Sequence, residues 1–402
     1  MALSLSRNAT VILSYQASGA SAWDGSGRTT ADGTNTFEIP VLDGFSFSQS
    51  TGTQNVTLNE AGAEPKRGQA IFNTSIEPVD WSFTTYIRPR IDDLGSAGAD
   101  TDDLHGMTEK ILWNALVSNT AHLNVKDTKT GGILSTTSSC TVDLEGSNKN
   151  QLLPLTGWFV FSNSDLAGTG NTNYRLKNMC VNSASMDFDV DGIAQITWSG
   201  FAEAIDTFDT NGSSAVPTPG VGDHATNGYA LAPATADFIL NRLSTVTLTS
   251  DIANPGTNKT YTFALTGGNV TIDNGISYVT PESLGRINVP IGHQTGTRAV
   301  SGNFTAYLDT AALSTKIMYE DILADINAAD PDTITNVFTI ELKIGGASAP
   351  NVVFLMPKAH LELPTLDTAD VMGVTITWTA LEDGFGSGND EATIVYTGST
   401  TV

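Results

Sequence analysis

The chain has 402 residues, 40% of them hydrophobic, and a formal net charge of −24 at pH 7. That length exceeds one small core and predicts two domains or more. Acidity on this scale repels phosphate, which argues against a sequence-specific DNA or RNA binder.

From the start of the chain, Met1–Arg7 lacks a charged start followed by a long apolar run, so no secretory signal is visible. No apolar stretch reaches membrane-span length. The first strong element is Trp81–Ile87, where Trp81, Phe83, Thr85 and Ile87 alternate with Ser82, Thr84 and Tyr86. Period-two alternation predicts a half-buried strand. An acidic stretch, Asp92–Asp103, follows and reads as an exposed loop. Next, Trp113, Leu116 and Val117 fall at i, i+3 and i+4, the stripe of an amphipathic helix. Ala194, Ile196 and Trp198 then point inward from another strand, against Gln195 and Thr197. Across Asp206 to Pro233, Asn211-Gly-Ser-Ser and Pro217-Thr-Pro-Gly-Val-Gly break every periodic pattern, as a linker does.

Beyond the linker the chain repeats itself. Phe304-Thr-Ala-Tyr307-Leu308 answers Phe83-Thr-Thr-Tyr86-Ile87, and Lys316-Ile317-Met-Tyr319 answers Lys110-Ile111-Leu-Trp113. Thr375-Ile376-Thr377-Trp378 answers Gln195-Ile196-Thr197-Trp198. Tyr319, Ile322, Leu323 and Ile326 supply the second helical stripe. Three blocks in the same order mark an internal duplication. Gly, Thr, Ser and Asn are abundant and the apolar runs are rich in β-branched residues, so the class is mainly β. Two tandem β-sandwich or barrel modules are expected, each with one amphipathic α-helix on its sheet. Their bounds are 1–206 and 234–402, with 207–233 as linker. Through Asp206 there are 23 acidic and 12 basic residues and after it 20 and 7, so both modules are acidic. The expected module core comprises Phe83, Trp113, Leu116 and Trp198, then Phe304, Tyr319, Ile322 and Trp378.

Catalytic material is sparse. The five histidines are scattered without the spacing of helical zinc ligands, and neither a Gly-x-Ser-x-Gly elbow nor a phosphate loop occurs. Asp187-Phe-Asp189-Val-Asp191-Gly192 imitates the start of a calcium loop, but its twelfth position is Trp198 instead of glutamate. A strand end or turn is expected there. Cys140 and Cys180, the two cysteines, read as buried or idle thiols. We therefore expect no enzyme activity, metal or cofactor.

One segment carries a family resemblance. Asn55-Val-Thr-Leu-Asn59-Glu60-Ala-Gly62-Ala-Glu64-Pro65-Lys66-Arg67-Gly68, continuing through Phe72-Asn73 to Pro78-Val-Asp-Trp81-Ser-Phe83-Thr-Thr-Tyr86-Ile87-Arg88-Pro89, resembles the tail tube (major tail) proteins of long-tailed bacteriophages. It is strongest over Thr36 to Leu116. In the second module Val279–Arg286 occupies the hairpin position and Gly302 stands where Trp81 stood. The resemblance implies rings of six modules stacked into a hollow tube through which DNA passes without specific binding. With two modules per chain, three chains complete a pseudo-hexameric ring. The hairpin residues Asn59, Glu60, Glu64, Lys66 and Arg67, with Glu282 and Arg286 in the second copy, would reach the adjacent ring. Implied partners are further copies of the chain, a tape measure protein, a tail terminator, baseplate or tip proteins and, in a contractile tail, a sheath. The implied location is the virion tail, assembled in the host cytoplasm. Two alternatives stay open: an adhesive β-sandwich protein binding carbohydrate on Trp23 or Tyr229, and, with less support, a hydrolase with an acid pair.

Overall fold

The computed structural model describes residues 9–15, 36–42, 45–56, 70–89, 109–117, 125–128, 137–144, 152–162, 171–208, 238–250, 258–282, 284, 287–327, 337–368, 371–382 and 391–399. Strands dominate them, as the composition predicts. The first half runs β1 (Ala9–Tyr15), β2 (Thr36–Ile39), β3 (Ser46–Val56), β4 (Ala70–Tyr86), α1 (Lys110–Val117), β5 (Val125–Thr128), β6 (Thr137–Asp143), β7 (Leu155–Ser162), β8 (Asn171–Asp189), β9 (Gln195–Ala202) and β10 (Ala204–Phe208). Two antiparallel sheets result, ordered β2-β1-β7-β8-β10 and β3-β4-β9-β8. Strand β8 belongs to both. It bends near Asn178, whose φ of 50° is one that asparagine tolerates and whose side-chain amide bonds the Glu203 carboxylate. The sheets close face to face through Phe159, whose ring lies 5.2 Å from Phe45, 4.9 Å from Phe47 and 6.5 Å from Phe83. Such tilted and edge-on aromatic contacts add to the burial term.

The second half runs β11 (Thr245–Ser250), β12 (Lys259–Thr262), β13 (Leu265–Asp273), β14 (Ser277–Val279), β15 (Gly292–Gln294), β16 (Ala299–Tyr307), α2 (Thr315–Ile326), β17 (Val337–Ile344), β18 (Asn351–Leu361), β19 (Thr365–Asp367), β20 (Gly373–Ala380) and β21 (Thr393–Ser399). Its pairing repeats the first half: β12-β11-β17-β18-β21 on one side, and β13-β16-β20 followed by β18 and β19 on the other. Strand β13 thus corresponds to β3, β16 to β4, β20 to β9, and β18 with β19 to the long β8.

The two halves join through strands. Residues Ser183–Asp189 of β8 pair with Gly267–Asp273 of β13, so the inner sheet continues across the chain as β3-β4-β9-β8-β13-β16-β20. Strand β6 of the first half pairs along β21 of the second. Beside that junction Arg298 and Glu391 form a buried ion pair at 3.0 Å, and Arg298 also donates to the Leu144 carbonyl at 2.6 Å. One hydrophobic cluster runs through both halves.

Two features follow from the duplication. Trp81 lies opposite Gly200 on β4 and β9, whereas Gly302 lies opposite Trp378 on β16 and β20. The tryptophan and glycine have exchanged strands, and in both copies the indole stacks on a phenylalanine, Trp81 on Phe83 and Trp378 on Phe304, at 5.3 and 5.6 Å. Each glycine is required by close approach: a Cβ on Gly200 would stand 2.0 Å from the Cys180 carbonyl oxygen, and one on Gly302 2.1 Å from that of Asn269. The loss of Trp81 from the second copy is therefore compensated across the sheet.

Several expectations need correction. Helix α1 is not a surface helix with a polar outer stripe, because all eight of its residues are buried. The second half covers it: Trp113 Nε1 donates to the Tyr396 hydroxyl at 2.9 Å, and the Asn274 amide donates to the Leu116 carbonyl at 2.8 Å. Helix α2 is rotated from its predicted stripe. Thr315, Met318 and Ile322 are its buried residues, Tyr319 is half-buried, and Leu323 and Ile326 are exposed. Asp321 fixes that rotation by accepting from the Lys259 ammonium at 2.9 Å and the Tyr261 hydroxyl at 2.7 Å. Strand β10 continues to Phe208, past the boundary read at Asp206. The β5–β6 hairpin was not predicted at all.

Candidate functional site: a hydroxyl face and an open sheet edge

The inner sheet has two unlike faces because its strands alternate. One buries Phe83, Ile196, Trp198, Ala184, Met186, Val270, Ile272, Phe304, Ile376 and Trp378. The other presents rows of short polar side chains. Register aligns Thr84, Thr197, Ser185, Thr271, Ser301 and Thr379 across six strands, through the junction between the halves. A parallel row carries Ser46, Ser82, Ser199, Ser183 and Asp273. Neighbouring hydroxyls bond to one another: Thr84 to Thr197 at 3.0 Å, Ser183 to Ser199 at 2.8 Å, and Ser185 to Thr271 at 3.1 Å. Each such side chain is held by its neighbour. Among the described residues Asp80, Asp187, Asp189 and Asp273 lie on this face, and the two rows as far as Thr379 contain no lysine or arginine; beyond Thr379 the first row continues to His360 on β18. Asp187 and Asp189 end strand β8, and Asp189 Oδ1 accepts the Gly192 amide at 2.6 Å. This closes a turn, and among the described residues no group of three or more potential ligands could hold a metal ion.

The second feature is the pair of strands that end this sheet. At the internal junction Ala184, Met186, Val270 and Ile272 are all buried. Their counterparts at the two ends are not: Leu363 is 39% and Leu366 49% exposed, while Phe47 and Gln49 are half-buried. The outer side of Glu362–Asp367 occupies the place on the second half that β13 covers on the first. The outer side of Ser46–Ser50 occupies the place on the first half that β8 covers on the second. Each end therefore offers what the other lacks.

Hairpin contacts form a third feature. The β14–β15 hairpin, rooted in the second half, packs on the first through Ile276, Tyr278 and His293. The Tyr278 hydroxyl donates to the Asn178 carbonyl at 2.6 Å, and His293 Nδ1 lies 3.0 Å from Cys180 Sγ. His293 Nε2 accepts from the Leu152 amide at 3.4 Å, which leaves the ring proton on Nδ1, facing the sulfur. Burial pushes the Cys180 thiol up to about 12, so this pair is no activated nucleophile. Burial also holds His293 below its ordinary imidazole value. The contact is thus most stable above the unfolded histidine pKa of about 6.5 and weakens as pH falls through the lower folded value. Amides of residues 276–294 should exchange faster at pH 5 than at pH 7.5 after correction for intrinsic rates. That difference should shrink in His293→Gln.

Of the predicted site residues, Glu282 is exposed near β14. Asn59, Glu60, Glu64, Lys66, Arg67 and Arg286 lie outside the described residues. Among the core residues Phe83, Trp113, Leu116, Trp198, Phe304, Ile322 and Trp378 are each at most 1% exposed. In chain order the link from β3 to β4 answers the link from β13 to β16. Large apolar side chains are exposed beside both: Ile71 at 58% and Phe72 at 62%, then Ile287 at 48% and Ile291 at 63%. The sequence reading missed the Leu363–Leu366 edge. Its signal was faint, two leucines around Pro364 in a polar stretch.

A curated tail tube protein, pb6 of Escherichia phage T5, is 28% identical to this chain over 375 residues, covering 90% of the chain and 72% of that protein. No family model matches.

Proposed function

Taking the chain as the phage tail tube protein that its homology indicates, a structural component of the virion tail, we propose that three copies close a pseudo-hexameric ring and that such rings stack into the tube. The observation carrying this reading is the β8–β13 junction, a head-to-tail joint used once within the chain with its two halves left uncovered at the ends. A heterologous joint that closes by rotation generates a ring. Pairing Ser46–Ser50 of one copy with Glu362–Asp367 of the next covers both open strands, which would otherwise be aggregation templates. Each chain supplies two modules, so three chains supply six.

In such a ring the hydroxyl rows form a continuous inner wall. Cation-rich surfaces bind DNA by displacing counterions from phosphates. Serine and threonine rows with four aspartates offer no such gain, so the duplex moves past without being held. The two hairpin regions, with their exposed apolar flanks, would meet the adjacent ring. Glu60, Glu64, Lys66 and Arg67 would pair there with Glu282 and Arg286 or their equivalents. Arg67→Glu should shorten tubes several-fold while the melting temperature stays unchanged, and tubes of normal length by electron microscopy would count against this role. At the tube ends the same surfaces would meet the tape measure, terminator and baseplate or tip proteins. Negative-stain microscopy of the purified protein tests the reading: rings or tubes support it, whereas discrete monomers across the concentration range reject it. Assembly in the host cytoplasm would precede incorporation into the virion.

A further inference from the structure

A short segment inside the chain acts as a clasp, and the sequence contains a second copy of it. Phe238–Arg242 leads into β11 and lies across the end of the first half. The Ala194 amide donates to the Ile239 carbonyl at 3.0 Å, and the Asn241 amide donates to the Gly192 carbonyl at 3.0 Å. Leu240 forms an antiparallel bridge with Ile193. The Phe238 ring meets Tyr86 edge-on at 5.3 Å and lies 5.4 Å beneath the Arg88 guanidinium. Ile239, 1% exposed, fills the space behind.

The receiving end recurs on the second half, where it is bare. Leu308 donates to the Met372 carbonyl at 2.9 Å just as Ile87 donates to that of Ala194 at 2.9 Å, which equates Met372 with Ala194, Val371 with Ile193 and Tyr307 with Tyr86. Ala194 is wholly buried, yet Met372 is 42%, Val371 65% and Tyr307 51% exposed. Three apolar side chains stand uncovered at the position where the first copy is clasped.

The clasp has a sequence counterpart before β1. Leu3-Ser-Leu5-Ser-Arg7-Asn-Ala-Thr10-Val11-Ile-Leu13 aligns without gaps on Phe238-Ile-Leu240-Asn-Arg242-Leu-Ser-Thr245-Val246-Thr-Leu248. Leu5, Arg7, Thr10, Val11 and Leu13 are identical to their partners. Strands β1 and β11 occupy the same place in their halves, and in the sequence Leu3–Arg7 precedes β1 as Phe238–Arg242 precedes β11. The charges also suit: Arg7 is the segment's one charged side chain, and Asp309 and Asp367 flank the bare end.

We propose that Leu3–Arg7 of one copy clasps the Tyr307–Met372 end of the neighbouring copy, locking each joint between chains as Phe238–Arg242 locks the joint within the chain. This rests on the ring reading above. The occupant is a second copy of the chain, because the clasp within the chain reaches onto the module before it around the sheet, and in the ring proposed above the module before a first half is the second half of a neighbour. Backbone hydrogen bonds along an extended segment give affinity, and the apolar side chains give register.

The bridge between Leu240 and Ile193 predicts that Leu5 faces Val371 across chains. The test mixes full-length Leu5→Cys with full-length Val371→Cys under oxidising conditions. It also prepares the double variant and a chain lacking residues 2–7. The expected results are a disulfide-linked heterodimer from the mixture and a covalent trimer from the double variant. The truncated chain should melt at the wild-type temperature but form rings at least about tenfold less readily. A link within a single chain, or rings that form with neither cross-link nor loss on truncation, would overturn the clasp while leaving the ring intact. Wild-type protein that forms no rings would overturn the ring reading and the clasp together.

Discussion

Glu391→Ala is expected to lower the unfolding free energy by about 3–5 kcal/mol, because it strands the Arg298 guanidinium in a site from which water is excluded. Both side chains are only 7% exposed, and the arginine also holds the Leu144 carbonyl of the first half. The pair therefore sits where β6 crosses to β21, and its loss should loosen that crossing first. Replacing both partners by apolar residues, as in Arg298→Met with Glu391→Leu, should recover most of the loss, since no charge is then left without a partner. Denaturant melts of the wild type and the two variants check this. Equal destabilisation by the single and double variants would show that the pair contributes through its shape rather than its charge.

The second large effect concerns assembly. Leu363→Lys with Leu366→Lys should leave the isolated chain as stable as before, because both leucines are already substantially exposed. In a closed ring they would be covered as Ala184 and Met186 are, and burying two unpaired ammonium groups is costly. A penalty of about 3 kcal/mol would raise the concentration needed for ring formation roughly 100-fold. Analytical ultracentrifugation over a dilution series reads that shift directly. An unchanged assembly curve would remove the β19 edge from the joint.

Much of the fold is legible in the sequence because the inner strands alternate strictly. Phe83, Trp198, Phe304 and Trp378 announce their buried face by period alone. The helices are less legible because tertiary contacts decide them. No periodicity shows that Tyr396 and Asn274, far along the chain, cover α1, or that Asp321 turns α2 toward Lys259 and Tyr261. The β5–β6 hairpin left one signal, the shortening of the repeat offset between the helix block and the Trp198 block, which requires extra residues after α1. The hydroxyl rows were visible only as composition, since alignment across strands depends on register. The open edge and the clasp emerge when the two copies are superposed strand by strand and their burial compared. A position buried in one and bare in the other marks a missing neighbour.

In the proposed ring the joint between β8 and β13 recurs between chains. Symmetry and mass of the isolated ring test it most directly, by cryo-electron microscopy together with native mass spectrometry. Three chains per ring are expected, with six similar modules around the lumen and β3 of each chain paired to β19 of the next. Six chains per ring, with one half of each lying outside the wall, would contradict it.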